Sequence, residues 1–164
     1  MKMVDVGGKD RTARLAVARA ELRVGREALR MLRDGTLEKG DALAAARLAA
    51  VMAAKRTPDL LPLCHPIALA GAECTLDVDQ AAGLVRIETR VRAVERTGVE
   101  MEALTAACAA ALTLYDMIKR HDRGMEILSV RLVHKSGGRS GAWDRADGAS
   151  PTPPARRSGP RRRA

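Results

Sequence analysis

Alternating apolar and polar positions mark two neighbouring segments of the chain as β-strands. In residues 73–78, Cys74, Leu76 and Val78 alternate with charged or polar residues. Residues 85–93 show the same two-residue period, with Val85 and Ile87 on the apolar side and arginines among the residues between. This period turns one side of each strand toward a core and the other toward solvent. The short stretch 80–83 between them predicts an antiparallel strand pair.

The remaining segments divide into strands and helices by the same criterion. Strands are predicted at 3–6, 12–24 and 127–133, and helices at 25–33, from Asp41 to about residue 56, and from residue 97 to about residue 120. Asp41 is expected to cap the second helix. Thr97 and Glu100 have the spacing of a capping box for the third helix. The order of elements predicts an α+β, ferredoxin-like fold, with helices packed on one face of a mainly antiparallel sheet.

The basic character of the chain is concentrated at its end. The formal net charge is +9, of which the six arginines and one aspartate from Arg145 onward contribute +5. This stretch is rich in arginine and proline and has few apolar residues, so residues 144–164 are expected to be a disordered tail. Residues 1–143 are expected to form a single domain.

Composition also limits which cellular compartment and which kinds of site are expected. The chain has no Phe, one Trp and one Tyr, which predicts a core of small aliphatic side chains. It shows neither a run of about 20 apolar residues that would span a membrane nor the features of a signal peptide, so a cytoplasmic protein is expected. Its three cysteines show no CxxC pair, and its three histidines lack metal-ligand spacing. Free thiols and no metal site are therefore predicted.

A histidine held between two prolines is the strongest candidate for chemistry. In the segment 61–66, Pro62 and Pro66 restrict the backbone on either side of Cys64 and His65. A rigid, non-helical segment with one imidazole is typical of a proton donor or acceptor near neutral pH. A structural histidine satisfied by its surroundings is the alternative.

Two acidic residues lie on the predicted third helix. Asp116 and Lys119 are three residues apart and should lie side by side, which lowers the pKa of the carboxyl; a surface ion pair is the alternative. Glu102 lies in the first turn, where it complements the helix dipole. A rise of about 1.5 Å per residue separates Glu102 from Asp116 by about 21 Å. One small substrate therefore cannot reach both on the same helix.

Two basic segments are weaker candidates. Lys39 precedes a helix N-terminus, where it and free N–H groups suit a phosphate, although a solvated loop lysine is the alternative. The run 135–141, with Lys135, serines and glycines, resembles phosphate-binding loops in composition but lacks their spacing. A flexible chain end is the alternative there.

Taken together, seven short motifs resemble one enzyme family. They are Met-Val-Asp-Val at 3–6, Lys-Gly-Asp at 39–41, Ala-Lys-Arg-Thr at 54–57, Asp-Leu-Leu-Pro-Leu-Cys-His-Pro at 59–66, Thr-Gly-Val-Glu-Met-Glu-Ala-Leu-Thr at 97–105, Tyr-Asp-Met-Ile-Lys at 115–119 and Lys-Ser-Gly-Gly at 135–138. In this order the chain resembles the molybdenum cofactor biosynthesis protein C family, the cyclic pyranopterin monophosphate synthases, over about residues 3–141.

The resemblance implies a lyase of the first stage of that pathway. The expected substrate is (8S)-3′,8-cyclo-7,8-dihydroguanosine 5′-triphosphate, and the expected products are cyclic pyranopterin monophosphate and diphosphate. By resemblance, the catalytic residues are Asp116, Lys119 and Lys39. The residues expected by resemblance to bind substrate are Leu63, Cys64, His65, Met101, Glu102, Glu100, Arg14, Lys55 and Lys135. No cofactor is expected, and whether a divalent metal assists stays open.

The resemblance further implies a homohexamer, a trimer of dimers, with sites made from two subunits. In such an assembly, Glu102 of one chain would meet Asp116 of another, although the two are far apart on one helix. Two alternatives stand beside the lyase: an inactive family member that serves as a scaffold, and a module that binds nucleic acid weakly through the basic tail. Sheets that bind RNA stack bases on aromatic residues, and Tyr115 and Trp143 are not expected on strands. No specific nucleic acid and no membrane are expected as partners.

Overall fold

An antiparallel sheet forms one layer of the molecule. The computed structural model describes residues 1–146, and in this range the strands are β1 (Thr12–Arg23), β2 (Leu69–Asp79), β3 (Leu84–Glu95), β4 (Glu126–Ser136) and β5 (Trp143–Asp144). Their order across the sheet is β2-β3-β1-β4-β5. Every neighbouring pair is antiparallel. The first four strands thus have the order of a ferredoxin-like sheet, with β5 added at one edge.

Within residues 1–146, four helices form the second layer: α1 (Arg26–Asp34), α2 (Ala42–Lys55), α3 (Thr57–Leu60) and α4 (Glu100–Ile118). The core lies between α4 and the sheet and between α2 and α4. It is lined largely by alanines, such as Ala16 and Ala18 of β1, Ala50 of α2 and Ala107 of α4. Small side chains let these backbones approach closely. The predicted α+β architecture, with helices on one face of the sheet, is confirmed.

The opposite face of the sheet carries charged residues in register. Arg19 of β1 forms an ion pair of 2.8 Å with Glu88 of β3, its partner across the strands. Arg131 of β4 lies 3.7 Å from Glu21 of β1. The alternation predicted for β2 and β3 is confirmed, because Val85 and Ile87 are buried while Arg86 lies on the charged side.

The central helix is apolar enough to resemble a membrane span. By length and composition alone α4 passes that test. Its apolar character has another explanation here, since Ala106, Ala110 and Leu114 are buried against the rest of the domain. Such a helix is typical of the core of a folded domain.

Helix ends follow the predictions in two places. α1 ends at Asp34, and its C-cap is Gly35, whose φ of 68° lies in the left-handed region that favours glycine. Asp41 caps α2 as predicted, and its Oδ1 accepts a hydrogen bond of 2.9 Å from the N–H of Ala44.

Two local predictions are wrong. Residues 3–6 form no strand, and Met3 and Val4 are exposed, so no burial of apolar surface would offset the cost of ordering them in a sheet. The capping box of Thr97 and Glu100 is also absent. α4 begins after Val99, which is buried and makes no side-chain cap. The N-cap of α4 is therefore the buried Val99, two residues after Thr97, the predicted N-cap.

The structure adds two elements that the pattern did not predict. α3 is a single turn between α2 and the proline segment, and β5 pairs with the end of β4. Trp143 consequently does lie on a strand, contrary to the expectation. The predicted domain of 1–143 and tail of 144–164 stay a prediction, because residues 147–164 lie outside the described part of the chain.

Candidate active site

The C-terminal end of α4 brings one carboxylate between two lysines. Oδ2 of Asp116 lies 2.6 Å from the Nζ of Lys39, and Oδ1 lies 2.7 Å from the Nζ of Lys119. Lys39 also donates to the backbone carbonyl of Asp116 at 2.9 Å. A cation at this position complements the partial negative charge of a helix C-terminus. The predicted proximity of Asp116 and Lys119 is confirmed, and Lys39 joins them from the turn before α2.

These contacts keep the Asp116 carboxyl ionised. The hydrogen bond from Lys119, followed by that from Lys39, lowers the pKa of Asp116 to about 2. The side chain is 55% exposed, so a substrate could reach it from solvent. This cluster, which we call the aspartate cluster (Lys39, Asp116 and Lys119), presents an ionised carboxylate between two ammonium groups.

The N-terminal end of α4 carries a carboxyl in the opposite environment. Glu102 is only 2% exposed. Its Oε1 accepts a contact of 3.5 Å from the Sγ of Cys64, whereas its Oε2 is buried without a hydrogen-bond partner among residues 1–146. Burial raises the pKa of Glu102. Burial, together with the nearby Glu102 charge, raises the pKa of Cys64 to about 11, so the thiol stays protonated.

The proline segment delivers Cys64 to this carboxyl. Thr57, fully buried, donates its hydroxyl to the carbonyl of Ala54 at 3.1 Å and fixes the start of α3. The chain then turns, and the N–H of Cys64 donates to the carbonyl of Leu61 at 3.0 Å. The segment is non-helical, as its prolines predict. His65 is half-buried and Leu63 exposed at this end of α4. We call Cys64, His65 and Glu102 the glutamate cluster.

Two further predicted cations lie on β1 and β4, at the end of the sheet from which the chain leads into α4. Arg14 donates from Nε to the carbonyl of Glu95 at 3.1 Å and from Nη2 to that of Arg96 at 3.3 Å, in the chain that leads into α4. It also lines a cleft of about 350 Å³. Lys135 donates from Nζ to the hydroxyl of Ser140 and to the carbonyl of Gly141, the latter at 3.0 Å. Both cations are held by neutral oxygens.

The other predicted site residues surround the same end. Glu100 is half-buried, and its carboxylate folds over Gly98, where an added Cβ would lie 1.8 Å from Oε2. Met101 is 42% exposed. Lys55 is the exposed last residue of α2. Because the turn before α2 contacts Asp116 and the segment after it contacts Glu102, α2 runs antiparallel to α4, and Lys55 belongs to the Glu102 end.

The structure therefore divides the predicted site into two groups rather than gathering it into one. Fourteen residues of helix separate Glu102 from Asp116, about 21 Å along the axis. Within one chain, the aspartate cluster and the glutamate cluster lie at opposite ends of α4.

Sequence reasoning missed the residues that hold Lys135. Ser140 and Gly141 belong to the run 135–141, for which a flexible chain end is the alternative prediction. The Gly137-Gly138 pair was the available signal, because both residues have positive φ, 96° and 69°, which turns the chain back toward β4.

The described residues offer no cluster of three or more His, Cys, Asp or Glu side chains that could hold a metal ion. The polar groups at both ends of α4 suit proton transfer and binding of an anion instead. All three cysteines are free thiols, as the sequence predicts.

The fold and these groups define a ferredoxin-like α+β protein with candidate catalytic residues at the two ends of one helix. Comparison with known proteins specifies the family. The MoaC family model matches residues 3–138, and the chain belongs to the MoaC family.

Relatives with the name cyclic pyranopterin monophosphate synthase are similar over most of their length. The protein from Roseiflexus sp. (strain RS-1) is 58% identical over 140 residues, which cover 85% of this chain and 89% of the relative. That from Thermomicrobium roseum is 52% identical over 146 residues, 89% of this chain and 88% of the relative. The protein from Geobacter sulfurreducens is 51% identical over 146 residues, which cover 89% of this chain and 91% of the relative.

Proposed function

We propose that this protein is a cytoplasmic lyase of molybdenum cofactor biosynthesis. It converts (8S)-3′,8-cyclo-7,8-dihydroguanosine 5′-triphosphate to cyclic pyranopterin monophosphate and diphosphate. The observation that carries the proposal is the aspartate cluster, an ionised Asp116 within 2.7 Å of two lysines, in a member of the MoaC family.

The reaction rebuilds a purine as a pterin and closes a cyclic phosphate, so protons must move at several atoms. Asp116, ionised at neutral pH, accepts a proton, and Lys119 and Lys39 supply donors beside it. Burial raises the pKa of Glu102, which favours its neutral form and supports the role of proton donor. The two carboxyls thus provide a base and an acid.

Cations for the triphosphate are available near the glutamate cluster. Among the described residues, the hydrogen-bond partners of Arg14 and Lys135 are neutral oxygens, so their positive charge is available to an anion, and Lys55 is exposed at the end of α2. Charge-assisted contacts from such groups favour phosphate oxygens. The remaining residues proposed to line the substrate are Leu63, Cys64, His65, Glu100 and Met101.

We propose that the protein assembles as a homohexamer, a trimer of dimers, with each site made by two chains. The separation of the two clusters supports this assembly. So does an outward stripe of α4 with exposed Met101, Cys108 and Leu112. A second α4 packed antiparallel on this stripe, with the two-fold axis near Cys108, would bring the glutamate cluster of one chain toward the aspartate cluster of the other.

An assay of the purified protein tests the activity. Incubation with the cyclised triphosphate should release diphosphate and yield the pterin product, detected by fluorescence after oxidation. An Asp116→Ala variant should give neither. A folded hexamer of the wild-type sequence that makes no product would refute the lyase and favour the scaffold.

Mixed hexamers test the shared site. His65→Ala and Asp116→Ala chains are each expected to be inactive alone. Hexamers formed by unfolding and refolding the two together should regain activity, because some interfaces then combine an intact Asp116 with an intact His65. If well-mixed hexamers stay inactive, each site lies within one chain.

A further inference from the structure

The chain folds back along β4 just after the Gly137-Gly138 turn, where the part matched by the family model, residues 3–138, also ends. Residues 139–145, which we call the C-terminal strap, return so that Trp143 pairs with Lys135 and Asp144 with His134. The strap therefore reverses direction directly beside a proposed phosphate-binding lysine.

Three contacts anchor the strap at its far end. Oδ1 of Asp144 lies 2.8 Å from the Nδ1 of His134. Arg145 donates its backbone N–H to the carbonyl of Val133 at 3.0 Å and its Nε to the carbonyl of Leu132 at 2.8 Å. Its guanidinium also lies 5.7 Å from the ring centroid of Trp143. These bonds fix the position of the strap against the sheet edge.

The near end of the strap holds the Lys135 ammonium. Nζ donates to the hydroxyl of Ser140 and to the carbonyl of Gly141. An ammonium has three donors, so one remains for a ligand. Ser140 and Gly141 are neutral, so they direct the charge of Lys135 without cancelling it. Lys39 and Lys119 differ, because both pair with the carboxylate of Asp116.

The same turn also reaches Arg14 of the neighbouring strand β1. An added Cβ at Gly138 would lie 1.7 Å from Nη1 of Arg14, and one at Gly137 would lie 2.0 Å from the carbonyl of Ala13. The turn thus packs against Arg14 while the strap holds Lys135. The arrangement sets the two cations relative to each other.

We propose that the C-terminal strap positions Lys135 for the triphosphate, with Ser140 as the positioning residue. This inference rests on the proposed function for the identity of the ligand. Pre-organised cations lose less freedom when the anion binds. The strap therefore acts on binding of the phosphate chain and leaves the proton transfers at the pterin unchanged.

Substitution of Ser140 in the full chain tests the inference. Ser140→Ala should raise KM about tenfold, the lower end of the range expected for loss of one hydrogen bond to a charged group, and should leave kcat within about twofold. Ser140→Thr keeps the hydroxyl and should restore KM. Ser129→Ala, which removes a hydroxyl from the other end of β4, is the matched control and should have no effect.

Binding of inorganic tripolyphosphate, measured by calorimetry, separates this inference from the proposed function. Ser140→Ala should raise the Kd for tripolyphosphate by about the same factor as KM. If the protein has no lyase activity, a raised Kd in Ser140→Ala would still support the role of the strap, while the missing activity would refute the lyase. Unchanged KM and Kd in Ser140→Ala would overturn the positioning role. Tighter binding in Ser140→Ala would overturn it as well, because it would mean that the strap masks Lys135.

Discussion

The two ends of α4 each present a carboxyl group, and they place it in opposite surroundings. At the N-terminal end Glu102 is buried, its Oε1 has a thiol as partner and its Oε2 has none among the described residues. At the C-terminal end Asp116 is exposed and bonded by two lysines. Burial raises the pKa of Glu102, and the lysines lower the pKa of Asp116 to about 2.

This difference in environment supports the proposed roles of acid for Glu102 and base for Asp116. Two carboxyls whose surroundings move their pKa values apart can serve opposite roles at one pH. In this chain the separation comes from the layer architecture, because the start of α4 is covered by the proline segment while its end meets solvent and the turn before α2. Any site that uses both carboxyls on one substrate needs a second chain.

Removal of the Asp116 charge should have the largest effect. Asp116→Asn keeps the size of the side chain but abolishes the base, so kcat should fall about 10²–10⁴-fold in a diphosphate-release assay. The protein should still fold, because the side chain is exposed and ion pairs at the surface contribute little to stability. Asp77→Asn is the matched control, since Asp77 is also exposed and paired with an arginine, at 3.3 Å. An Asp116→Asn protein with near-normal kcat would remove Asp116 from the catalytic residues.

Removal of the Glu102 proton should have the next largest effect. Glu102→Gln preserves volume and leaves no proton to donate, so kcat should fall about 10²-fold. The wild-type pH profile of kcat should also fall toward alkaline pH as Glu102 ionises, and Glu102→Gln should lack this limb. A Gln variant with the wild-type alkaline limb would show that another group titrates there.

Stability should depend on pH with opposite signs at the two carboxyls. The folded state raises the pKa of Glu102, so its contribution is complete below pH 4.5 and is lost as pH rises through the folded pKa. The folded state lowers the pKa of Asp116, so its contribution is present above pH 3.8 and is lost as pH falls toward about 2.

Urea unfolding over a range of pH measures both contributions. Glu102→Gln should flatten the decline of stability above pH 4.5, and Asp116→Asn should flatten the decline below pH 3.8. The Asp116 effect should shrink in high salt because the pair is exposed. Matching slopes in the two variants would contradict the contrast between the two ends.

The sequence predicted the larger elements and the Asp116–Lys119 pair for the same reason, namely that both depend on local spacing, whereas Lys39 joins that pair from 77 residues away. Asp116 and Lys119 are one helical turn apart, and the period of β3 fixed its buried side. The predicted capping box of Thr97 and Glu100 is wrong because α4 begins after the buried Val99, and burial is a tertiary effect that local spacing does not contain. The partners of Glu102 and Lys135 also lie beyond local spacing. Cys64 is 38 residues from Glu102 in the sequence. The contacts of Lys135 with Ser140 and Gly141 depend on the turn at Gly137 and Gly138.

Cys64 offers the smallest and most discriminating change at the glutamate cluster. Its thiol is the side-chain donor to Oε1 of Glu102, and this contact lowers the pKa of the carboxyl against the larger effect of burial. Cys64→Ala should therefore raise the pKa of Glu102 further, shift the alkaline limb of kcat upward, and reduce kcat only about threefold, in line with loss of one weak hydrogen bond. Cys64→Ser, which supplies an O–H donor, should return the limb toward that of the wild type. Loss of all activity in both variants would mean that the thiol itself takes part in the reaction, and Glu102 would then no longer be sufficient as the acid of this end.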